Sequence, residues 1–102
     1  MIEIKIYFGG STNKGSKVFE VEFHDFCKTE IFKYYDSFTI SSGAGIWKES
    51  WEGCWIVTII TKDPNYKIHI AEICNNYNKE MKQDSTLATF TPIDGQLYGK
   101  EN

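Results

Sequence analysis

The chain of 102 residues contains no arginine. Its eleven basic side chains are all lysine, and acidic residues outnumber them, giving a net charge of −3. Arginine makes the planar, bidentate contacts by which proteins read phosphates and guanine edges. Its absence argues against a nucleic-acid partner. One small anion, held by lysine and backbone N–H groups, stays open. Cysteine is scarce as well: Cys27, Cys54 and Cys74 are widely spaced, and there is no C-x-x-C. Each falls on an apolar face, which predicts buried free thiols in a reducing compartment. The two histidines stand alone. His24 could pair with Glu20 one helical turn away, but a surface position is the simpler reading. No side chains have metal-ligand spacing, so no metal and no cofactor is expected. No apolar run reaches the length of a membrane span, and no signal peptide is recognisable. A soluble, cytoplasmic protein without a membrane partner is expected. Repeats, linkers and low-complexity segments are lacking. One domain is therefore expected over residues 1–102, with 92–102 as a C-terminal tail.

What is present is apolar and aromatic. Hydrophobic residues make up 41% and aromatic residues 16%, which excludes disorder and allows a small core. The stretch Phe38 to Thr61 holds all three tryptophans. It reads as two strands joined by a polar turn at Lys48 to Trp51. In the second strand, Glu52 to Thr61, Cys54, Ile56, Thr58 and Ile60 share one face and Trp55, Val57 and Ile59 the other. Both faces are largely apolar, whereas a strand with one wet face alternates. One face can pack on helices of the same chain. The other needs a second cover, and a neighbouring copy is the simplest one. A lysine at Val57 is expected to break that association.

Around this stretch the periodicity changes twice. Ile2, Ile4, Ile6 and Phe8 alternate with polar residues, so the chain opens on a strand. Gly9 to Ser16 is a loop. Phe19, Phe23, Phe26, Cys27 and Tyr34 fall at helical spacing, which predicts a helix over roughly Glu20 to Tyr34. A short strand over Val18 to Phe23 is the competing reading. Phe38 to Trp47 is the next strand, and Gly43-Ala44-Gly45 within it suggests a bulge or a close backbone approach. Asp63 and Pro64 suit the N-cap and first position of a second helix. Its stripe runs through Tyr66, Ile70, Ile73, Cys74, Tyr77 and Met81 and ends near Gln83. Ser85 to Thr91 is a last strand. The tail is expected to dock through Ile93, Leu97 and Tyr98. The order βαββαβ predicts an α+β, ferredoxin-like fold: a four-stranded antiparallel sheet with two helices on one face.

Three places carry candidate chemistry. The loop after the first strand, with Gly9, Gly10 and Ser11, could cradle an anion on backbone N–H groups. It is not a P-loop, and a plain connection is the simpler reading. Glu52 begins an apolar strand beside Trp47, Trp51 and Trp55. A carboxylate among aromatic rings could accept from ribose hydroxyls or hold an ammonium or sulfonium cation, though it could also be a solvated turn acid. Gln83-Asp84 lies between the second helix and the last strand, where an amide could read a base or carboxylate near Glu52.

The run Gly45-Ile46-Trp47-Lys48, then Glu52, then the β-rich strand, then a helix ending in Gln83-Asp84-Ser85, resembles trimeric PII-like ferredoxin folds. In particular it resembles phage S-adenosylmethionine lyases and a related family of small bacterial domains of unknown function. The resemblance spans roughly Phe38 to Phe90. It implies a substrate bound between subunits of a trimer. It also implies attack by the substrate's own carboxylate, releasing a lactone and methylthioadenosine, a reaction that asks mainly for a folded substrate pose. Glu52 matches the acid at which the family's strand begins, and Gln83 the amide before the last strand. Trp47 replaces a tyrosine, and its spacing to the acid is shorter. The resemblance thus implies a homo-oligomer, a trimer or a multiple of it. It would bind an adenosine-containing small molecule at subunit interfaces, with Trp47, Glu52, Gln83, Gly9, Gly10 and Ser11 as ligand-binding residues. A phage anti-defence protein that sequesters a nucleotide signal in the host bacterial cytoplasm would fit. The alternatives are an S-adenosylmethionine lyase and a phage module that inhibits a host protein.

Overall fold

The computed structural model describes residues 1–99, and of Trp47 the backbone only. The elements are β1 (Ile2–Gly9), α1 (Glu20–Phe26) with a π-helical turn (Cys27–Ile31), β2 (Thr39–Trp47), β3 (Ser50–Thr61), α2 (Tyr66–Glu80) and β4 (Leu87–Pro92). The sheet order is β2-β3-β1-β4, and every neighbouring pair is antiparallel. This is the predicted α+β, ferredoxin-like arrangement.

Strand alternation divides the sheet into two unlike faces. Ile4 opposite Ile59, Ile6 opposite Val57 and Phe8 opposite Trp55 face the helices. There they pack with Phe23, Phe26, Ile31, Ile70, Ile73 and Tyr77. Trp55 stacks on Phe23 at 4.4 Å between ring centroids, and Tyr77 meets Phe8 edge-on at 4.6 Å. The other face carries Tyr7 opposite Ile56, and Cys54 between Gly9 and Gly43, and among the described residues no helix covers it. Val57 is fully buried beneath the helices, so it does not belong to the open face as the sequence reading assumed. A lysine there would disrupt the core. Ile60, 55% exposed, has the parity of the open face.

Several boundaries shift for identifiable reasons. The first helix continues only to Ile31, and its last turn is widened: Phe32 N–H donates to the Cys27 carbonyl across five residues. That extra residue rotates the stripe beyond Phe26, so that Glu30 and Ile31 are buried; Phe19, the extended N-cap residue before the helix, is exposed. Glu30 is held by the Lys33 ammonium at 2.8 Å and the Asn76 amide at 3.0 Å. The second helix begins at Tyr66, not at Pro64. Asp63 still serves its start, accepting from Asn65 N–H at 2.9 Å. Its other oxygen binds His69 Nδ1 at 2.7 Å and accepts from the Tyr35 hydroxyl at 2.9 Å. His69 is therefore half-buried and paired, not a surface residue.

Pairing of β2 with β3 is continuous from Thr39↔Thr58 to Trp47↔Ser50, so Gly43-Ala44-Gly45 forms no bulge. The turn is Lys48-Glu49 alone, with φ of 49° and 66°. Two positive φ values give the twist that a two-residue hairpin demands. In the tail, Ile93 N–H donates to the Met1 carbonyl, but Leu97 and Tyr98 are 94% and 84% exposed and do not dock.

The buried Glu30 and the half-buried Asp63 predict how stability depends on acid. The Lys33 ammonium, with help from Asn76, holds the Glu30 carboxyl below its ordinary value. Burial raises Asp63, but the Asn65 N–H, His69 and the Tyr35 hydroxyl outweigh it and hold that carboxyl low. Both groups are lower in the folded than in the unfolded chain. Their contribution is complete above the unfolded value of about 4 and is lost as pH falls through the folded values. The urea midpoint should be level from pH 7 to about 5 as far as these groups set it, and fall below about 4. Asp63→Asn should flatten that fall.

Candidate functional site

The hairpin of β2 and β3 runs on past the end of β1, since Gly9 pairs with Cys54 while β2 and β3 stay paired to Ser50. This leaves a step on the open face. The loop after β1 and the segment between α2 and β4 wall it, and β2 and β3 floor it. The result is a cleft of about 500 Å³, within the range that holds small molecules. Gly9, Gly43 and Gly45 keep its bed low. A larger hollow of about 900 Å³ lies towards the other end, against the tail. The acid and amide picked out from sequence both line the smaller one.

Ser11 joins those two side chains. Its N–H donates to Glu52 Oε1 at 3.3 Å, and its carbonyl accepts from Gln83 Nε2 at 2.7 Å. The same Nε2 donates to the Met81 carbonyl at 3.0 Å. Both amide hydrogens of Gln83 are thereby used, and a flipped amide would face two carbonyl oxygens. Its Oε1 is left as an acceptor. That oxygen and Glu52 Oε1 converge over Gly9: a Cβ there would meet them at 2.4 and 2.6 Å. Gly9 is held in turn by its carbonyl, which accepts from the buried Tyr77 hydroxyl at 2.5 Å.

Local backbone places each piece. Lys82 ends α2 in the left-handed region at φ 51°, and Gln83 N–H turns back to the Asn78 carbonyl. This is a Schellman close with lysine where glycine is usual. Asn13 N–H donates to the Lys82 carbonyl at 2.7 Å, and its side-chain amide donates to Asp84 at 3.3 Å. Lys48 reaches Asp84 from the hairpin turn at 3.5 Å. The loop after β1 is thus tied at several points. Its N–H groups at Gly10, Ser11, Thr12, Asn13, Gly15 and Ser16 all donate within the chain. They offer no cradle for an anion.

Of the six residues singled out from sequence, Gly9, Ser11, Glu52 and Gln83 meet in one place. Gly10 sits beneath the site: its N–H donates to the Gly53 carbonyl, and a Cβ would stand 2.7 Å from that oxygen. The Trp47 side chain lies outside the described residues. The expected aromatic surround of Glu52 does not form from Trp51 and Trp55. They have the opposite strand parity, with Trp55 on Phe23 and Trp51 78% exposed. Tyr77 and Asn13 were not foreseen as parts of the site, and Asp84 was named only beside Gln83, whose amide was given the role. Tyr77 did lie on the predicted inner helix stripe, and a buried phenol needs a hydrogen-bond partner. Among the described residues no cluster of His, Cys, Asp or Glu could hold a metal. No helix there is long and apolar enough to cross a membrane.

The electrostatics of the cleft are one-sided. Among the described residues, Glu52 and Asp84 line it and no lysine does, while Lys48 stands at its rim on Asp84. What the cleft presents over Gly9 is a pair of acceptors, suited to a cation or to hydroxyl and amine donors.

Fold and site together define a small ferredoxin-like domain with an acceptor-lined cleft on its open sheet face. Residues 3–95 match the family described as "Protein of unknown function (DUF3574)", and the chain belongs to that family. No curated protein matches it. Among solved structures it is similar to a phage SAM lyase in complex with S-methyl-5′-thioadenosine. The TM-score is 0.69 at 13% identity, over 88% of this chain and 79% of that one. A phage SAM lyase in its apo state gives 0.69 at 12% identity, over 88% and 78%. A DUF3240 family protein from Shewanella baltica OS155 gives 0.62 at 12% identity, over 95% and 97%. At these identities the likeness is one of fold.

Cys54 offers a probe of the cleft. It is half-buried and lines the bed, correcting the expectation that all three thiols are buried. Burial pushes Cys27 up to about 12 and Cys74 up to about 11. Burial, with the Glu52 carboxylate, raises Cys54 as well. A small thiol reagent should label the native protein once, slowly, at Cys54, and label the other two only after denaturation. Peptide mapping of the labelled protein checks this.

The glycines predict a contrast. Gly9→Ala meets only the ends of two side chains, so the fold should survive while Glu52 and Gln83 are pushed apart. Gly10→Ala meets backbone and should cost about 1–3 kcal/mol of stability. Urea denaturation of the two variants distinguishes them.

Proposed function

We propose that the cleft binds an adenosine-containing small molecule, with the bound molecule seated between copies of this chain in a homo-oligomer. The observation that carries this reading is the convergence of the Glu52 carboxylate and the Gln83 amide oxygen over Gly9. Two acceptors fixed side by side suit the vicinal hydroxyls of a ribose, which donate two hydrogen bonds from adjacent carbons. The apolar part of the bed, Tyr7, Ile56 and Leu87, suits a flat base. The open side of the cleft faces away from the helices, where a second copy would close it. A trimer, or a multiple of one, is the assembly that the resemblance to PII-like folds supports.

A second reading has its own support. Among the described residues the cleft is lined by two carboxylates, Glu52 and Asp84, and by no lysine, so it favours a cation over a phosphorylated ligand. A sulfonium nucleoside such as S-adenosylmethionine meets that requirement, and a solved structure similar in fold is a phage SAM lyase. In this reading the substrate carboxylate attacks its own carbon chain, the C–S bond breaks, and its electrons leave with the thioether as methylthioadenosine. The chain's part is to hold the folded pose and exclude water. A phage anti-defence role by sequestration belongs to the first reading. The charge of the cleft weighs against a phosphorylated signal as its ligand.

Titration of S-adenosylmethionine and a panel of adenine nucleosides and nucleotides, followed by calorimetry and by an assay for methylthioadenosine, separates these cases. Binding with recovery of intact ligand supports sequestration, and release of methylthioadenosine supports the lyase. If nothing in the panel binds, the ligand reading fails and a protein-interaction module takes its place. Glu52→Ala should weaken binding by about 1–3 kcal/mol, because it strands the donors that Glu52 satisfies. It should leave the oligomer intact.

A further inference from the structure

The outer edge of β2 is a nine-residue strand, Thr39–Trp47, with no charged residue and no proline. Its pairing with β3 is regular to the last residue, so no bulge twists the edge away. Every second residue of such a strand turns its N–H and C=O outward. Among the described residues no helix, loop or side chain donates to or accepts from that outer edge. Thr39, Ile40, Ser41, Ser42, Ala44 and Ile46 are all exposed. Proteins protect edges of this kind with charge, proline, bulges, shortness or a cover. The opposite edge, β4, has such protection: it is six residues long and ends in Pro92. Among the described residues, β2 has none of these devices.

We propose that β2 pairs antiparallel with β2 of a second copy of this chain, about a twofold axis through Gly43. The pattern of the strand selects this occupant. With Gly43 opposite its counterpart, Ile40 falls opposite Ile46 and Ser42 opposite Ala44, in both directions. Ile40 and Ile46 share the helix-side parity and are 37% and 64% exposed. The pairing joins them into two cross-strand apolar contacts, while small residues meet at the centre. No charge repels its own copy across the axis. The interface closes on itself, since each β2 edge satisfies the other and only the short β4 edges remain. The product is an eight-stranded sheet with the helices on one face and the open face continuous across the axis. Gly43, Ala44, Gly45 and Ile46 carry the bed of the cleft out to this edge. The partner's β2 therefore extends that bed, and two clefts adjoin. This pairing does not depend on what the cleft binds, and it is compatible with further contacts through the open face.

Two double variants at the same positions test it. Ser42→Glu with Ala44→Glu puts like charges opposite each other twice across the axis. Ser42→Glu with Ala44→Lys puts opposite charges there. The unmodified protein should have an even multiple of 11.8 kDa by light scattering. The Glu/Glu variant should have half that mass, and the Glu/Lys variant the full mass. A monomeric or trimeric unmodified protein, or equal masses for the two variants, would overturn the proposal, whereas a hexamer accommodates both this pairing and a trimer. Should the Glu/Glu variant fail to fold, amide hydrogen exchange on the unmodified protein decides instead. Slow exchange at successive β2 amides supports the pairing, and fast exchange at every second one overturns it.

Discussion

Glycine at position 9 is the constraint on which the site depends. Its carbonyl is fixed by the Tyr77 hydroxyl, which is itself locked among Phe8, Phe23 and Phe26. Its missing side chain leaves the space in which Glu52 and Gln83 converge. The aromatic core and the acceptor pair are thus connected through one residue of backbone. The core could not hold Gly9 by a side chain, because any side chain would occupy the site. It holds the carbonyl instead. The phenol makes that bond from an interior position, where burial pushes its ionisation up and keeps it a donor.

Much of the architecture was legible because it follows from period. Ile4, Ile6 and Phe8 alternate, and Ile70, Ile73, Cys74 and Tyr77 repeat at helical spacing, so β1 and α2 could be read directly. The order of elements then gave the ferredoxin-like sheet. What failed was what period does not carry. Alternation separates Val57 from Ile56 but does not say which of them faces the helices, and the choice of Val57 for the open face was wrong. The π-helical turn adds one residue without any sequence mark. The Lys48-Glu49 turn lacks the Asn-Gly signal of its backbone shape. Trp51 and Trp55 are close to Glu52 in sequence, yet the pleat sends them to the other face. The partners of the site, by contrast, are far apart in sequence: Ser11 bridges residues 41 and 72 positions away. Glu52 and Gln83 entered through their chemistry and through resemblance, while their meeting over Gly9 needed the register.

The charge of the cleft narrows the chemistry further than fold likeness does. Glycine-rich loops between a strand and a helix often bind anions because their N–H groups point outward. Here the loop has the composition but not the free donors, since a carboxylate, carbonyls and a threonine hydroxyl already take them. Glu52 itself is what occupies the N–H of Ser11. A phosphate entering at that point would have to displace a carboxylate and sit beside it. A hydroxyl or a cation would add to the network without breaking it. Acceptor geometry and net charge therefore favour the same kind of ligand.

Backbone strain shows how the cleft keeps its width. The three non-glycine residues with positive φ among the described residues are Lys48, Glu49 and Lys82. Such conformations cost roughly 1–2 kcal/mol each, and they persist only where the surroundings determine them. Lys48 and Glu49 are forced by unbroken pairing up to Trp47↔Ser50, which leaves two residues to reverse the chain. Lys82 is forced by the close of α2, which turns its carbonyl to Asn13 and sets Gln83 next to Ser11. These positions are the two rims of the cleft, and the Lys48–Asp84 ion pair spans them. An exposed ion pair of this kind is weak, so it follows the rims more than it sets them. The spacing between the hairpin and the last strand is fixed by backbone register on one side and by a helix cap on the other. Side chains along the bed can then be small, as Gly43 and Gly45 are, without the cleft losing its shape.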